Sequence, residues 1–80
     1  MASAAAHLKQ LVVDVLLIED DEYRDDFGPD EIGSWDSLAT VSIAGGIEQA
    51  FGIAVPADDM AAFNTIGDIK QFCRARGLAV

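Results

Sequence analysis

Residues 33–52 read GSWDSLATVSIAGGIEQAFG, and this stretch decides the architecture. Gly33-Ser34-Trp35-Asp36 does not continue a helix from upstream, whereas Leu38 to Phe51 carries helical periodicity. At 100° per residue Ile43, Ala44, Ile47, Ala50 and Phe51 fall on one stripe, the expected core face. Leu38, Ser42, Gly45 and Gln49 fall opposite it, with Gly46 and Glu48 towards the edges. The pattern predicts a helix over Ser37–Phe51, stopped by Gly52. Asp36 and Ser37 are both residue types that cap a helix by accepting hydrogen bonds from its first amides. One of them caps; Ser37 can also be read as a hydroxyl displayed for covalent attachment at the positive end of the helix.

Upstream, Leu8, Leu11, Val12, Val15 and Leu16 recur at spacings of three and four, predicting a first helix from near Ser3 to near Ile18. Glu19 to Trp35 is acidic and broken by Gly28-Pro29 and Gly33, so it reads as one long loop anchored by Tyr23, Phe27, Ile32 and Trp35. Loops of that length in small domains are often functional. Downstream, Ile53-Ala54-Val55-Pro56 is extended, because the residue before proline avoids helical angles. Ala57 to Phe63 is a short third helix with Asp58 and Asp59 in its first turn. Asn64 or Thr65 caps a fourth, and Asp68 stands where a capping box places its acid. Ile66, Ile69, Phe72 and Cys73 form its buried stripe, with Lys70, Arg74 and Arg76 towards its C-terminus before Gly77. The expected fold is all-α: an antiparallel four-helix bundle with a short third helix and a long loop between helices 1 and 2, one domain over residues 1–80.

A chain of this length buries only about 60% of its unfolded surface, so packing must be efficient. One cysteine excludes an internal disulfide, and no Cys/His cluster suggests a metal. Fourteen acids against five bases give a net charge of −9. Such a surface disfavours nucleic acid and anionic membranes and favours basic protein patches. No signal-peptide pattern precedes Gln10 and no apolar stretch reaches membrane length, so a cytoplasmic monomer is expected.

Hydrolysis at Ser37 would need a base, yet the only histidine is His7, which nothing in the sequence brings near, and no G-x-S-x-G elbow exists. Calcium loops starting at Asp20, Asp21 or Asp25 fail the EF-hand pattern. Cys73 reads as a buried small hydrophobe and Trp35 as a pin for the loop. What remains is modification of Ser37 by another enzyme, since a phosphodiester there would meet free amides and the helix dipole.

Gly33-Ser34-Trp35-Asp36-Ser37-Leu38, then Ile47-Glu48-Gln49-Ala50-Phe51-Gly52-Ile53, then Thr65-Ile66-Gly67-Asp68-Ile69, resembles the acyl carrier protein family over nearly the whole chain. The resemblance implies a 4′-phosphopantetheine arm on Ser37, installed from coenzyme A by a magnesium-dependent phosphopantetheinyl transferase. It implies that Asp36 assists that encounter and that Leu38 contacts the transferase and other partners. Val41, Ser42, Gly45 and Glu48 complete the expected partner-facing side. Expected partners are an acyl-loading enzyme, either an acyltransferase or an adenylating ligase, and a ketosynthase or other acyl-processing enzymes. Ile43, Ile47, Phe51, Ile69 and Phe72 are expected to hold the bundle and border any space for the acyl chain. Fatty-acid carriers of the family have an acid-rich second helix, but here Ala39, Ser42, Gly45 and Gln49 leave only Glu48 beyond Asp36. That departure, with Trp35 before Asp-Ser-Leu, is similar to discrete carriers of specialised pathways such as polyketide biosynthesis. Gly45-Gly46, costly within a helix, reads either as local softness or as room for close docking. A peptidyl or aminoacyl carrier is the alternative, although its Gly-Gly-x-Ser signature is absent; an unmodified helical adaptor for a basic partner is the other.

Overall fold

Ser3 accepts a hydrogen bond from the Ala6 amide and so opens α1, Ala4–Leu16. The computed structural model, which describes residues 3–33 and 35–80, continues with α2 (Ser37–Phe51), α3 (Ala57–Ala61) and α4 (Ile66–Ala75). Apart from a 3₁₀ turn at Asp20–Glu22, these four helices are the regular structure, and there is no strand among the described residues.

α1 ends two residues earlier than its periodicity predicts. Leu17 adopts left-handed angles (φ 57°, ψ 44°), and the amides of Leu17 and Ile18 both return to the Val13 carbonyl. A leucine is an uncommon residue there, so residue type does not announce the stop. The turn leaves Leu17 84% exposed and sends Ile18 into the core.

The long loop is partly regular. Glu19 and Glu22 form a capping box around the 3₁₀ turn. Further on, the Phe27 carbonyl accepts from the Ile66 amide at 3.0 Å and the Asp25 carbonyl from the Gly67 amide at 2.9 Å. The loop thus supplies acceptors for amides at the start of α4, groups a helix cannot satisfy internally. Gly28 and Gly67 permit that approach: a Cβ on Gly28 would lie 2.6 Å from the Asn64 carbonyl oxygen, and one on Gly67 2.9 Å from that of Asp25. Phe27 is buried, and Lys70 pairs with Asp25 at 2.7 Å while lying over the Tyr23 ring.

These contacts have consequences for pH. The hydrogen bond and charge of Lys70 hold the Asp25 carboxyl below its ordinary value, so the pair's contribution is present at neutral pH and is lost on acidification through that lowered pKa. Burial pushes the Tyr23 hydroxyl up to about 12. Its neutral form therefore supports the fold up to the ordinary tyrosine value, and that support is lost as pH rises through the folded one. The chain has a single tyrosine, so phenolate absorbance followed against pH should show one late transition. A midpoint at the ordinary value would contradict this seating of the ring.

α2 buries Ala39, Ile43, Ala44 and Ile47. Phe51 is half-buried, edge-on to His7 with ring centroids 5.4 Å apart. Ala50, expected in the core, is exposed: its methyl is too short to close the open groove that it lines with His7, Leu11 and Gly46 between α1 and α2. Ala39, absent from the expected stripe, is buried in the core cluster that also holds Trp35 and Ile43. The glycine pair divides. Nothing lies within 4 Å of where a Gly45 side chain would begin, whereas one on Gly46 would run into the δ-carbons of Leu11. Gly45→Ala should therefore gain up to about 1 kcal/mol from helix propensity. Gly46→Ala must displace Leu11 and should fall short of that gain, a difference readable from urea midpoints.

α3 ends at Ala61 rather than Phe63, because the chain turns there to carry Phe63 into the core and against Phe72. Thr65, not Asn64, caps α4: its hydroxyl accepts from the Asp68 amide, and Asp68 accepts from the Thr65 and Asn64 amides. Ile66, Ile69 and Cys73 are buried, and Phe72 is half-buried under the Arg76 guanidinium. The cations near the C-terminus are engaged within the domain, Arg74 with the Val80 carbonyl and Arg76 with Asp59.

Candidate functional site

Asp36 takes the cap. Its carboxylate accepts from the Ala39 amide at 2.9 Å, and its carbonyl accepts the first helical bond from Thr40. Ser37 is thereby the first residue of α2, exposed, and its hydroxyl has no hydrogen-bond partner among the described residues. The Ser37 and Leu38 amides donate to no acceptor among the described residues, leaving two donors beside that hydroxyl. Ser34 of the quoted motif lies outside the described residues.

Trp35 fixes the approach to this point. It is 4% exposed, stacks on Phe27 at an interplanar angle of 22°, and donates from Nε1 to the Thr40 hydroxyl at 3.1 Å. Beside Ser37 an open cleft of about 480 Å³ runs between the loop, α2 and α3. Trp35, Val41, Met60 and Phe63 form its apolar walls; Asp36, Ser37, Thr40 and Asn64 contribute polar groups. Ile43, Ile47, Phe51, Ile69 and Phe72, expected to border an acyl space, are not among the residues lining this cleft. Ile43, Ile47 and Ile69 are instead completely buried in the core. Thr40, Met60 and Phe63 escaped sequence reasoning. The hydroxyl four residues after Asp36 was the one available signal for Thr40; Met60 and Phe63 reach the cleft through the packing of α3.

Leu38 and Val41 are exposed by 73% and 55%, and Ser42 and Gly45 are exposed as well. Glu48 is exposed too, but its carboxylate accepts from the Val55 amide at 2.9 Å, tying the segment after α2 back onto the helix. His7 lies against Phe51, at the opposite end of α2 from Ser37. Fourteen residues of helix separate the two ends by about 20 Å, so His7 is no base for Ser37. Among the described residues no group of three or more His, Cys, Asp or Glu could hold a metal ion, and no helix is long and apolar enough to cross a membrane.

An exposed, unbonded hydroxyl, two free amides and an adjoining cleft of mixed polarity fit a phosphodiester-linked arm. A family model described as "Phosphopantetheine attachment site" matches residues 6–73, most of the chain.

Proposed function

Because the chain belongs to the phosphopantetheine attachment site family, whose members carry covalently attached 4′-phosphopantetheine, we propose that Ser37 bears the arm and that the protein is an acyl carrier. The observation that carries this reading is the division of labour at the start of α2: Asp36 does the capping, and Ser37 keeps its hydroxyl free. Carrier domains of this family are non-catalytic and are modified by a separate transferase. When bound, the arm supplies a terminal thiol that holds acyl groups as thioesters.

This chain's own residues present the hydroxyl, offer the Ser37 and Leu38 amides to the phosphate, and wall the cleft beside it. Leu38, Val41, Ser42, Gly45 and Glu48 form the partner-facing side, met in turn by the transferase, an acyltransferase or adenylating ligase, and a ketosynthase or other acyl-processing enzyme. Between Asp36 and Glu48 this helix has no charged residue, and Glu48 is already bonded to Val55. Such a face suits a partner that docks by apolar contact, which supports service in polyketide or related specialised biosynthesis over primary fatty-acid synthesis. The antiparallel bundle belongs to the same reading: His7 meets Phe51 and Leu11 faces Gly46, an order that runs oppositely along α1 and α2.

Intact mass after incubation with coenzyme A, magnesium and a broad-specificity phosphopantetheinyl transferase tests the assignment. One added phosphopantetheinyl group is expected. An unchanged mass sinks it.

A further inference from the structure

The Thr40 hydroxyl joins the two residues that precede Ser37 to the first turn of α2. It accepts from Trp35 Nε1 at 3.1 Å and donates to the Asp36 carbonyl at 3.2 Å, while the Thr40 amide bonds to that same carbonyl at 3.1 Å. A helix cap needs only the Asp36 carboxylate, which is already in place. The hydroxyl adds a second tie, from the helix to an aromatic ring that is 4% exposed and stacked on Phe27.

We propose that Thr40 is a positioning residue, which through Trp35 and Asp36 sets the direction in which the Ser37 hydroxyl is presented to the modifying enzyme. The inference rests on reading Ser37 as the attachment residue. In the transfer, Ser37 Oγ bonds to the pantetheine-side phosphorus of coenzyme A, the phosphorus–oxygen bond to 3′,5′-ADP breaks, and the hydroxyl proton passes to a base of the transferase. Thr40 touches none of these atoms. It acts because in-line displacement demands a nucleophile held close to the reactive geometry, and the backbone of residues 36 and 37 decides where Oγ points. Without the hydroxyl, the indole N–H loses its acceptor, and a buried donor left unbonded is costly. The ring must then shift towards water and carry Asp36 and Ser37 with it.

Thr40→Val, Thr40→Ser, Trp35→Phe and the Trp35→Phe/Thr40→Val double variant, made in the full chain, provide the test. Loading kinetics with coenzyme A, magnesium and the transferase are measured beside the NMR resonance of the sole indole N–H. Thr40→Val should lower kcat/KM by about ten- to a hundredfold, within the range small misplacements cost, and should move the indole resonance. Thr40→Ser should restore both. Trp35→Phe, which removes the indole bond but keeps the Thr40 bond to the Asp36 carbonyl, should lower kcat/KM in the same direction, and the double variant should be no worse than Thr40→Val, since the indole bond is removed in all three. Wild-type kinetics in a folded Thr40→Val protein overturn the positioning role and leave the attachment site standing. Should that variant not fold, wild-type kinetics in Trp35→Phe overturn it equally. A wild-type protein that accepts no group overturns both readings together.

Discussion

Ser37→Ala should accept no phosphopantetheinyl group while remaining as stable as the wild type. The loss is all-or-none because no other hydroxyl among the described residues offers the same combination. Ser42 is exposed but lies inside α2, where its neighbouring amides are committed to the helix. The Thr40 and Thr65 hydroxyls are engaged in hydrogen bonds, and Ser3 caps α1. The fold should not notice the change: the Ser37 hydroxyl bonds to nothing among the described residues, alanine is the better helix former, and exposed substitutions of this kind stay within about 0.5 kcal/mol. Asp36→Ala is the informative contrast. It removes the cap, costing about 1 kcal/mol, and should slow loading without abolishing it. Intact mass with a thermal melt separates the two, and a mass gain in Ser37→Ala would refute the assignment of the attachment residue.

Gly28→Ala should be the most damaging single methyl in the molecule. Its Cβ would stand 2.6 Å from the Asn64 carbonyl oxygen, a backbone atom and not the end of a flexible side chain. Overpacking of this kind costs about 1–3 kcal/mol. The displacement would also strain the neighbouring bonds from Ile66 and Gly67 to the loop, and the seat of buried Phe27. A domain of this size has a total stability of about 4–12 kcal/mol, so the loss is a large share of it. At about 4–8 °C per kcal/mol, the melting midpoint should fall visibly. Gly33→Ala is the control: nothing lies within 4 Å of its would-be Cβ and its φ is not left-handed, so it should melt with the wild type or above it. Equal midpoints for Gly28→Ala and Gly33→Ala would mean that the loop does not sit on the start of α4 as described.

The middle and the end of the long loop are each fixed by a helix that follows it. Its middle seats on α4 through Gly28, and its last described residue before Asp36 is Trp35, whose indole the Thr40 hydroxyl holds. A loop that is acidic on its surface and apolar at Phe27 and Trp35 is therefore a structural strut for the serine, as well as a charged rim.

Features governed by neighbours within one helical turn were legible in the residue order: the four helices, the capping box of Thr65 and Asp68, the stop at Gly52, and a serine at the start of α2. Each depends on hydrogen bonds or side-chain spacings of three to four residues, which the chain writes locally. Tertiary packing settled what local order left open. Leu17 turns left-handed and lets Ile18 enter the core, Gly46 makes room for Leu11, Glu48 is drawn to Val55, and Gly28 admits the Asn64 carbonyl. The choice of Asp36 over Ser37 as cap belongs with these: either side chain has the chemistry, and the geometry of the incoming loop, held at Trp35, accompanies the one observed. These outcomes depend on where distant segments meet, information that no single stretch of the sequence contains, and the cleft beside Ser37 exists only because the loop, α2 and α3 converge there.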